Sequence, residues 1–317
     1  MKFTNTITAA AFAAFAALPA LAADSVVIGT GSQGGTYFTY GSGFASMITE
    51  ELGIPASVEI TGGPVQNVTL VQAGEHNLGF VTMGPAYDAF TGNSPLMPGF
   101  EHTDIRALFP MYQTPLQAAV LTSSGITSLA GLDGKRVGVG PAGGTSGTYW
   151  PRYLAAAGLD VKISNAGGND TAGQLKDGLI DGFLFAAGLP TGAYAQLAVE
   201  NDVTFLEFSA EELATFLTAE PALASFTIPA NTYEDQPNDL QSVSLWNFAI
   251  TNKDMDDETA YQIVKLAMEN NDRMMQNHAA AKETLPQYVI NNSFMTFHPG
   301  AVRWFEENGY VIPDDLK

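Results

Sequence analysis

The chain has 317 residues, 46% of them apolar, and carries 33 acidic side chains against 13 basic ones, a net charge of −20. That balance excludes a nucleic-acid interface, which needs a basic stripe to meet phosphates, and excludes a polybasic contact with a membrane surface. It reads as an acidic solvated face, suited to a medium salty enough to screen self-repulsion. With no cysteine, stability rests on the cores rather than on disulfides.

In chain order, Lys2 is followed by an Ala-, Phe- and Leu-rich run over residues 9–22 that ends in Ala20-Leu21-Ala22. This reads as a secretory signal peptide over residues 1–22, cleaved on export to the periplasm. The rest is long enough for two α/β domains, each with its own core. Val26–Thr30 is predicted as a strand and Thr36–Leu52 as a helix. Between them lies Gly29-Thr30-Gly31-Ser32-Gln33-Gly34-Gly35-Thr36-Tyr37. Glycines this dense before a helix let backbone amides approach a ligand, and helix N-terminal amides favour an anion. Strand Ala56–Ile60, helix Pro64–Ala73, strand Leu78–Thr82 and helix Pro85–Phe90 follow, then a Gly/Pro-broken loop over 92–103. Strands are expected at Ile105–Met111 and Gln117–Thr122. Alternation of this kind predicts a mainly parallel sheet covered on both faces.

The pattern then restarts. A helical turn at Leu129–Gly134 leads to strand Arg136–Val139 and a second loop of the same kind, Gly138-Val139-Gly140-Pro141-Ala142-Gly143-Gly144-Thr145-Ser146-Gly147-Thr148. Helices are expected at Gly147–Ala157, Asp170–Asp177, Pro190–Val199 and Ala210–Ala219. Strands are expected at Val161–Ser164, Leu179–Phe185 and Val203–Phe208. Gln241–Ala249 suits a strand crossing back to the first domain, completed by helices Asp257–Asn277, Ala280–Leu285 and Ala301–Asn308. The expected domains are 23–116 with 241–317, and 117–240 inserted between them. The ligand is expected at the carboxyl ends of the strands.

Five motifs in order resemble the TAXI family of extracytoplasmic solute receptors, which serve tripartite ATP-independent periplasmic (TRAP) transporters. They are Gly29–Tyr37; Thr61-Gly62-Gly63-Pro64-Val65-Gln66-Asn67; Leu132–Gly140 running into Gly143–Thr148; Leu175-Lys176-Asp177-Gly178 with Asp181-Gly182-Phe183; and Phe297–Gly309. The resemblance spans essentially the whole mature chain. It implies a type II periplasmic-binding fold, two α/β domains joined by hinge strands around a central cleft. It further implies no catalysis, membrane subunits of a TRAP transporter as partners, and a small carboxylate such as 2-oxoglutarate or glutamate as ligand. The chain departs from the family at Thr82-Met83-Gly84-Pro85, where relatives often place a polar residue, and this weakens the case for an amino-group contact. A monomer without cofactor or metal is expected. A sensor-partner binding protein and an exported hydrolase are the alternatives.

The expected ligand-binding residues are Thr30, Gly31, Ser32, Gln33, Gly34, Gly35, Thr36 and Tyr37 on the first loop, with Thr61, Gly62, Met83, Gly84 and Tyr112 at other strand ends of that domain. Thr145, Ser146, Gly147, Thr148, Phe185, Leu189 and Pro190 come from the second domain. Gly29-x-Gly31-x-x-Gly34 matches a dinucleotide fingerprint, yet Glu59 near the end of the second strand is expected to face away from its tip. The second loop has no Gly-Lys-Ser/Thr, so it is no nucleotide P-loop. Ser146 lacks a Gly-x-Ser-x-Gly elbow. His76, His102, His278 and His298 have no zinc spacing. Arg106 and Arg152 are the cations that could reach a ligand carboxylate, and Asp88 or Asp181 the acids that could turn inward to meet an amine.

Overall fold

The computed structural model describes residues 25–220 and 222–317; the expected signal peptide lies outside them. Short apolar runs become strands and the segments after their glycine loops become helices. In the first lobe these are β1 (Val26–Gly29), α1 (Thr36–Met47), β2 (Ala56–Glu59), α2 (Pro64–Gln72), β3 (Leu78–Thr82) and α3 (Met83–Phe90). β1 pairs in parallel with both β2 and β3. β3 is buried at all five positions, as a strand covered on both faces must be. α1 runs into a single π turn, Ile48–Leu52, and stops at the left-handed Gly53.

Residues 105–121 correct the expectation of two strands. They form one strand, β4 (Ile105–Leu121), of 17 residues. Pro110 and Pro115 lie within it, although proline cannot donate to a ladder. Pro110 sits at a register shift. Pro115 is the last β4 residue paired with β10 (Leu240–Asn252), before Leu116 takes β7 (Gly182–Ala186) as its neighbour.

The second lobe adds β5 (Arg136–Gly138), α4 (Thr145–Ala156), β6 (Lys162–Ser164), α5 (Gly168–Lys176), α6 (Gly192–Glu200), β8 (Val203–Phe205), α7 (Ala210–Ala219) and β9 (Ala224–Ile228). β9 was not expected. It is mostly exposed and lacks alternation, and it forms because Leu240–Ser244 of β10 offers it an antiparallel edge. The chain returns through α8 (Asp257–Glu269), α9 (Asn271–Asn277) and α10 (Pro299–Glu307). Residues 257–277, expected as one helix, break at Asn270, whose side chain donates to the carbonyl of Leu266 at 3.0 Å. Such a local bond competes with helix continuation.

The strand order is β2-β1-β3-β10-β4-β7-β5-β6. β4 and β10 pair with each other antiparallel and belong to both lobes. One core cluster, with Phe44, Phe80, Phe109, Phe248 and Phe305, fills the first lobe. The second lobe has two, one around Trp150, Tyr153 and Phe216 of α4 and α7, the other around Phe183, Tyr194 and Leu197. Two α/β lobes joined by two long shared strands constitute the type II periplasmic-binding architecture. No helix among the described residues is long and apolar enough to cross a membrane.

Candidate ligand-binding cleft

Four helices begin where strands end at the junction of the lobes: α1 after Gly35, α2 after Gly63, α3 after Thr82 and α4 after Gly144. None has a side chain capping its N-terminus, and none has an acid in its first turn. α7 and α8, away from the junction, are capped. α7 carries a Ser209–Glu212 capping box and α8 is capped by Asp256, both with acids in the first turn. The first amides of a helix have no intrahelical acceptor, so the ends at the junction hold donors and positive dipole ends in reserve. α2 contributes least, because Pro64 has no N–H and Val65 N already donates to Gly143 O of the other lobe at 3.0 Å.

These ends surround a cavity of about 50 Å³. From the first lobe it is lined by Gly31, Ser32, Gly35, Thr36, Tyr37, Gly62, Gly63, Pro64 and Thr82, from β4 by Tyr112 and Thr114, and from the second lobe by Pro141, Gly144, Thr145, Ser146, Phe185, Ala186 and Ala187. Among the described residues no Asp, Glu, Lys, Arg or His lines it.

Ten of the residues expected at the site therefore meet around one space: Gly31, Ser32, Gly35, Thr36, Tyr37, Gly62, Tyr112, Thr145, Ser146 and Phe185. The others do not line it, each for a visible reason. Thr30 turns its hydroxyl to Glu59 O at 2.7 Å. Thr61 braces the loop, donating to Asn67 Oδ1 at 2.6 Å and accepting from Gly63 N. The carbonyls of Gln33 and Gly34 accept from Asn169 N and Ala193 N of the second lobe. Met83 and Gly84 enter α3, with Gly84 against the Tyr149 hydroxyl. Gly147 packs on the Pro141–Ala142 turn, and Thr148 faces the Ala142 carbonyl. Leu189 packs against the α5–α6 core, and Pro190 is exposed.

The lobes are closed on the cavity. Thr82 and Thr145 share a hydroxyl–hydroxyl hydrogen bond of 2.7 Å, Thr36 donates to Gly188 O at 2.7 Å, and Gly168 N donates to Ser32 Oγ at 3.1 Å. Two glycines permit this approach. Gly34 has φ +86°, and a Cβ there would lie 2.1 Å from Asn169 Oδ1. Gly63 has φ +110°, with Gly144 Cα 3.0 Å from where its Cβ would be. Side chains rarely adopt such φ values, so both positions need glycine for conformation and for lobe contact.

Thr82, Thr114, Gly63, Pro64, Pro141, Gly144, Ala186 and Ala187 were not among the expected site residues. Nor was Asn247 of β10, which organises the floor. Fully buried, it accepts from Tyr37 OH at 2.5 Å and donates to Tyr112 O at 2.5 Å and Thr114 Oγ1 at 2.7 Å. A lone amide in the run Leu245-Trp246-Asn247-Phe248-Ala249 was the available signal, since a buried polar group implies partners. Ser146 Oγ accepts from Ala186 N at 2.6 Å, which leaves its own hydrogen to give. Burial pushes the hydroxyls of Tyr37 and Tyr112 well above the ordinary tyrosine value, so both stay protonated.

The charged candidates are engaged elsewhere. Arg152 meets Asp88 of the other lobe at 3.3 Å, and Tyr149 OH donates to the same carboxylate at 2.9 Å. Arg106 donates to the carbonyls of Thr103 and Ile105. Asp181 pairs with Arg136 at 2.7 Å, and that guanidinium pulls its carboxyl down to about 2. Among the described residues no group of three or more His, Cys, Asp or Glu could hold a metal ion.

The sequence matches the NMT1-like family over residues 28–309. The chain belongs to the NMT1-like family. Its fold is similar to that of a periplasmic transporter structure, with 14% identity, 82% of this chain and 84% of that one covered, and a TM-score of 0.57. The binding-protein component of a phosphonate ABC transporter from Pseudomonas aeruginosa is similar at 11% identity, over 90% and 95% of the two chains, with a TM-score of 0.55. MatC from Rhodopseudomonas palustris, solved with bound malate, is similar at 14% identity, over 84% and 87%, with a TM-score of 0.53. At such identities the likeness is one of fold: the NMT1-like chain has the architecture of periplasmic binding proteins.

Proposed function

We propose that this protein is an exported solute receptor that captures a small organic acid, of the 2-oxoglutarate or glutamate type, and presents it to a TRAP-type secondary transporter. One observation carries the reading. The uncapped N-termini of α1 and α4, from opposite lobes, open on one cavity that has hydroxyl donors and no charged side chain. Amides, hydroxyls and helix dipoles bind a carboxylate without a cation. Each helix end contributes about 0.3–1 kcal/mol, more when partly buried. One carboxylate rests on the amides of Thr36 and Tyr37, and Thr145 and Ser146 hold the ligand from the second lobe.

An ammonium group would need a carboxylate partner, since an unpaired buried charge is costly. Among the described residues none lines the cavity, and Asp88 and Asp181 are already paired. The amine-free acid is therefore the better fit of the two. Residues 23–116 with 241–317 act as one closing unit and 117–240 as the other, β4 and β10 serving as the hinge. TRAP delivery rests on the five TAXI-like motifs and on the signal-peptide pattern at residues 1–22. Calorimetric titration of the mature protein with a panel of monocarboxylates, dicarboxylates and amines tests the reading. One-to-one binding of a carboxylate and silence with the amines is expected. No heat with any organic anion at millimolar concentration overturns it.

A further inference from the structure

Among the described residues one ion pair joins the two lobes. Arg152 of α4 meets Asp88 of α3 at 3.3 Å, while every other pair lies within a single lobe. Both lobes carry more acids than bases, so closure brings like charge together. This pair sets opposite signs against each other where the lobes meet.

The contact belongs to a seam that starts at the cavity. Thr82, just before α3, and Thr145, the first residue of α4, share their hydroxyl bond of 2.7 Å on the cavity wall. Two residues into α3, a Cβ on Gly84 would stand 2.9 Å from the Tyr149 hydroxyl, so glycine leaves Tyr149 room to reach past it. Tyr149 OH then donates to Asp88 Oδ2 at 2.9 Å, and both terminal nitrogens of Arg152 donate to the same oxygen at 3.3 Å. The guanidinium also lies over the Tyr149 ring, 4.8 Å from its centre. Burial, with the Asp88 charge adding to it, pushes the Tyr149 hydroxyl well above the ordinary tyrosine value, so it stays a donor. The Asp88 side chain is only 15% exposed, which makes these bonds stronger than those of an ion pair in open solvent. None of the three residues lines the cavity.

We propose that Asp88, Tyr149 and Arg152 form a latch that sets the balance between open and closed lobes, and with it the rate at which the cleft releases what it holds. Opening must break the contacts of Tyr149 and Arg152 together, because they converge on one carboxylate oxygen. Apparent affinity scales with the fraction of protein in the binding-competent form, so the latch strengthens every ligand of the cleft by the same factor. The inference rests on the two-lobe fold and not on the anion reading.

The test needs no ligand. The chain has no cysteine, so Glu101→Cys in the first lobe and Asp160→Cys in the second, both exposed, accept a pair of spin labels. Pulsed electron resonance on the labelled mature protein then reads the closed and open separations, with a thermal melt of each variant. Asp88→Ala is expected to lower the closed-to-open ratio by about tenfold or more. Arg152→Ala, which leaves the Tyr149 bond in place, is expected to lower it by about two- to fivefold. The two changes together are expected to match Asp88→Ala alone, since residues sharing one partner are not additive. Tyr149→Phe is expected to act in the same direction and replaces Asp88→Ala in the comparison if that variant does not fold. No closed population in the wild type, a ratio unchanged in the folded variants, or losses that add in the double variant would each overturn the latch.

Discussion

Ser146 and Thr36 are both buried hydroxyls on the cavity wall, and their hydrogen bonds give them different work. Ser146 Oγ accepts from Ala186 N and can donate its own hydrogen. Thr36 has already given its hydrogen to Gly188 O across the lobes. Its side chain is a clasp, and its contribution to the ligand is the backbone amide. Losing a hydrogen bond to a charged group costs about 1.5–3 kcal/mol, so Ser146→Ala is expected to weaken ligand binding by about 10- to 150-fold. Thr36→Val removes a neutral bond worth about 0.5–1.5 kcal/mol and is expected to cost about 2- to 13-fold. Calorimetry on the two variants checks the order; a larger loss in the threonine variant would reverse the assignment. Single residues were legible where they sat in a glycine loop before a helix, as Ser32, Thr36, Thr145 and Ser146 did. Asn247 and Thr114 were not, because each lies within a strand and is brought to the cavity only when β4 and β10 pair.

At the scale of elements, the site is a set of helix ends left open. Gly35 at the start of α1 has ordinary extended dihedrals, φ −90° and ψ 157°, so a side chain there needs no left-handed backbone. A Cβ would stand 3.3 Å from Ser32 O, a tight but adjustable fit. Gly35→Asp would set a carboxylate on the amides proposed for the ligand, since aspartate is a favoured N-cap. This variant is expected to lose at least about 100-fold in affinity while remaining folded by circular dichroism and thermal melt. Retained affinity would mean that the α1 amides are not the carboxylate seat. The α/β alternation and most elements were readable because apolar runs and glycine stops are local signals. β4 was misread over residues 112–116, where its change of partner is settled by tertiary neighbours, and α8 with α9 at Asn270, whose side chain bonds back to its own helix. β9 had no pattern of its own and depends on the edge of β10.

At the scale of the molecule, a net charge of −20 surrounds a cavity proposed to take an anion. The opposition is resolved by placement: among the described residues no acid lines the cavity, and the first turns of the four helices around it carry none. The global field acts at long range and is screened within about 10 Å at 0.1 M salt. It slows anion approach at low ionic strength more than it weakens the closed complex. The two-lobe plan was legible because the pattern of strand, glycine loop and helix occurs twice. The closed arrangement was not, since the contacts of Gly34 with Asn169 and of Gly63 with Gly144 join residues far apart in the chain. The most direct test of the whole account is the affinity of the mature protein for 2-oxo acids beside their 2-amino counterparts, 2-oxoglutarate against L-glutamate and pyruvate against L-alanine, at low and high salt. Tighter binding of the oxo acid at both salt concentrations is the predicted result; tighter binding of the amino acid would contradict the account.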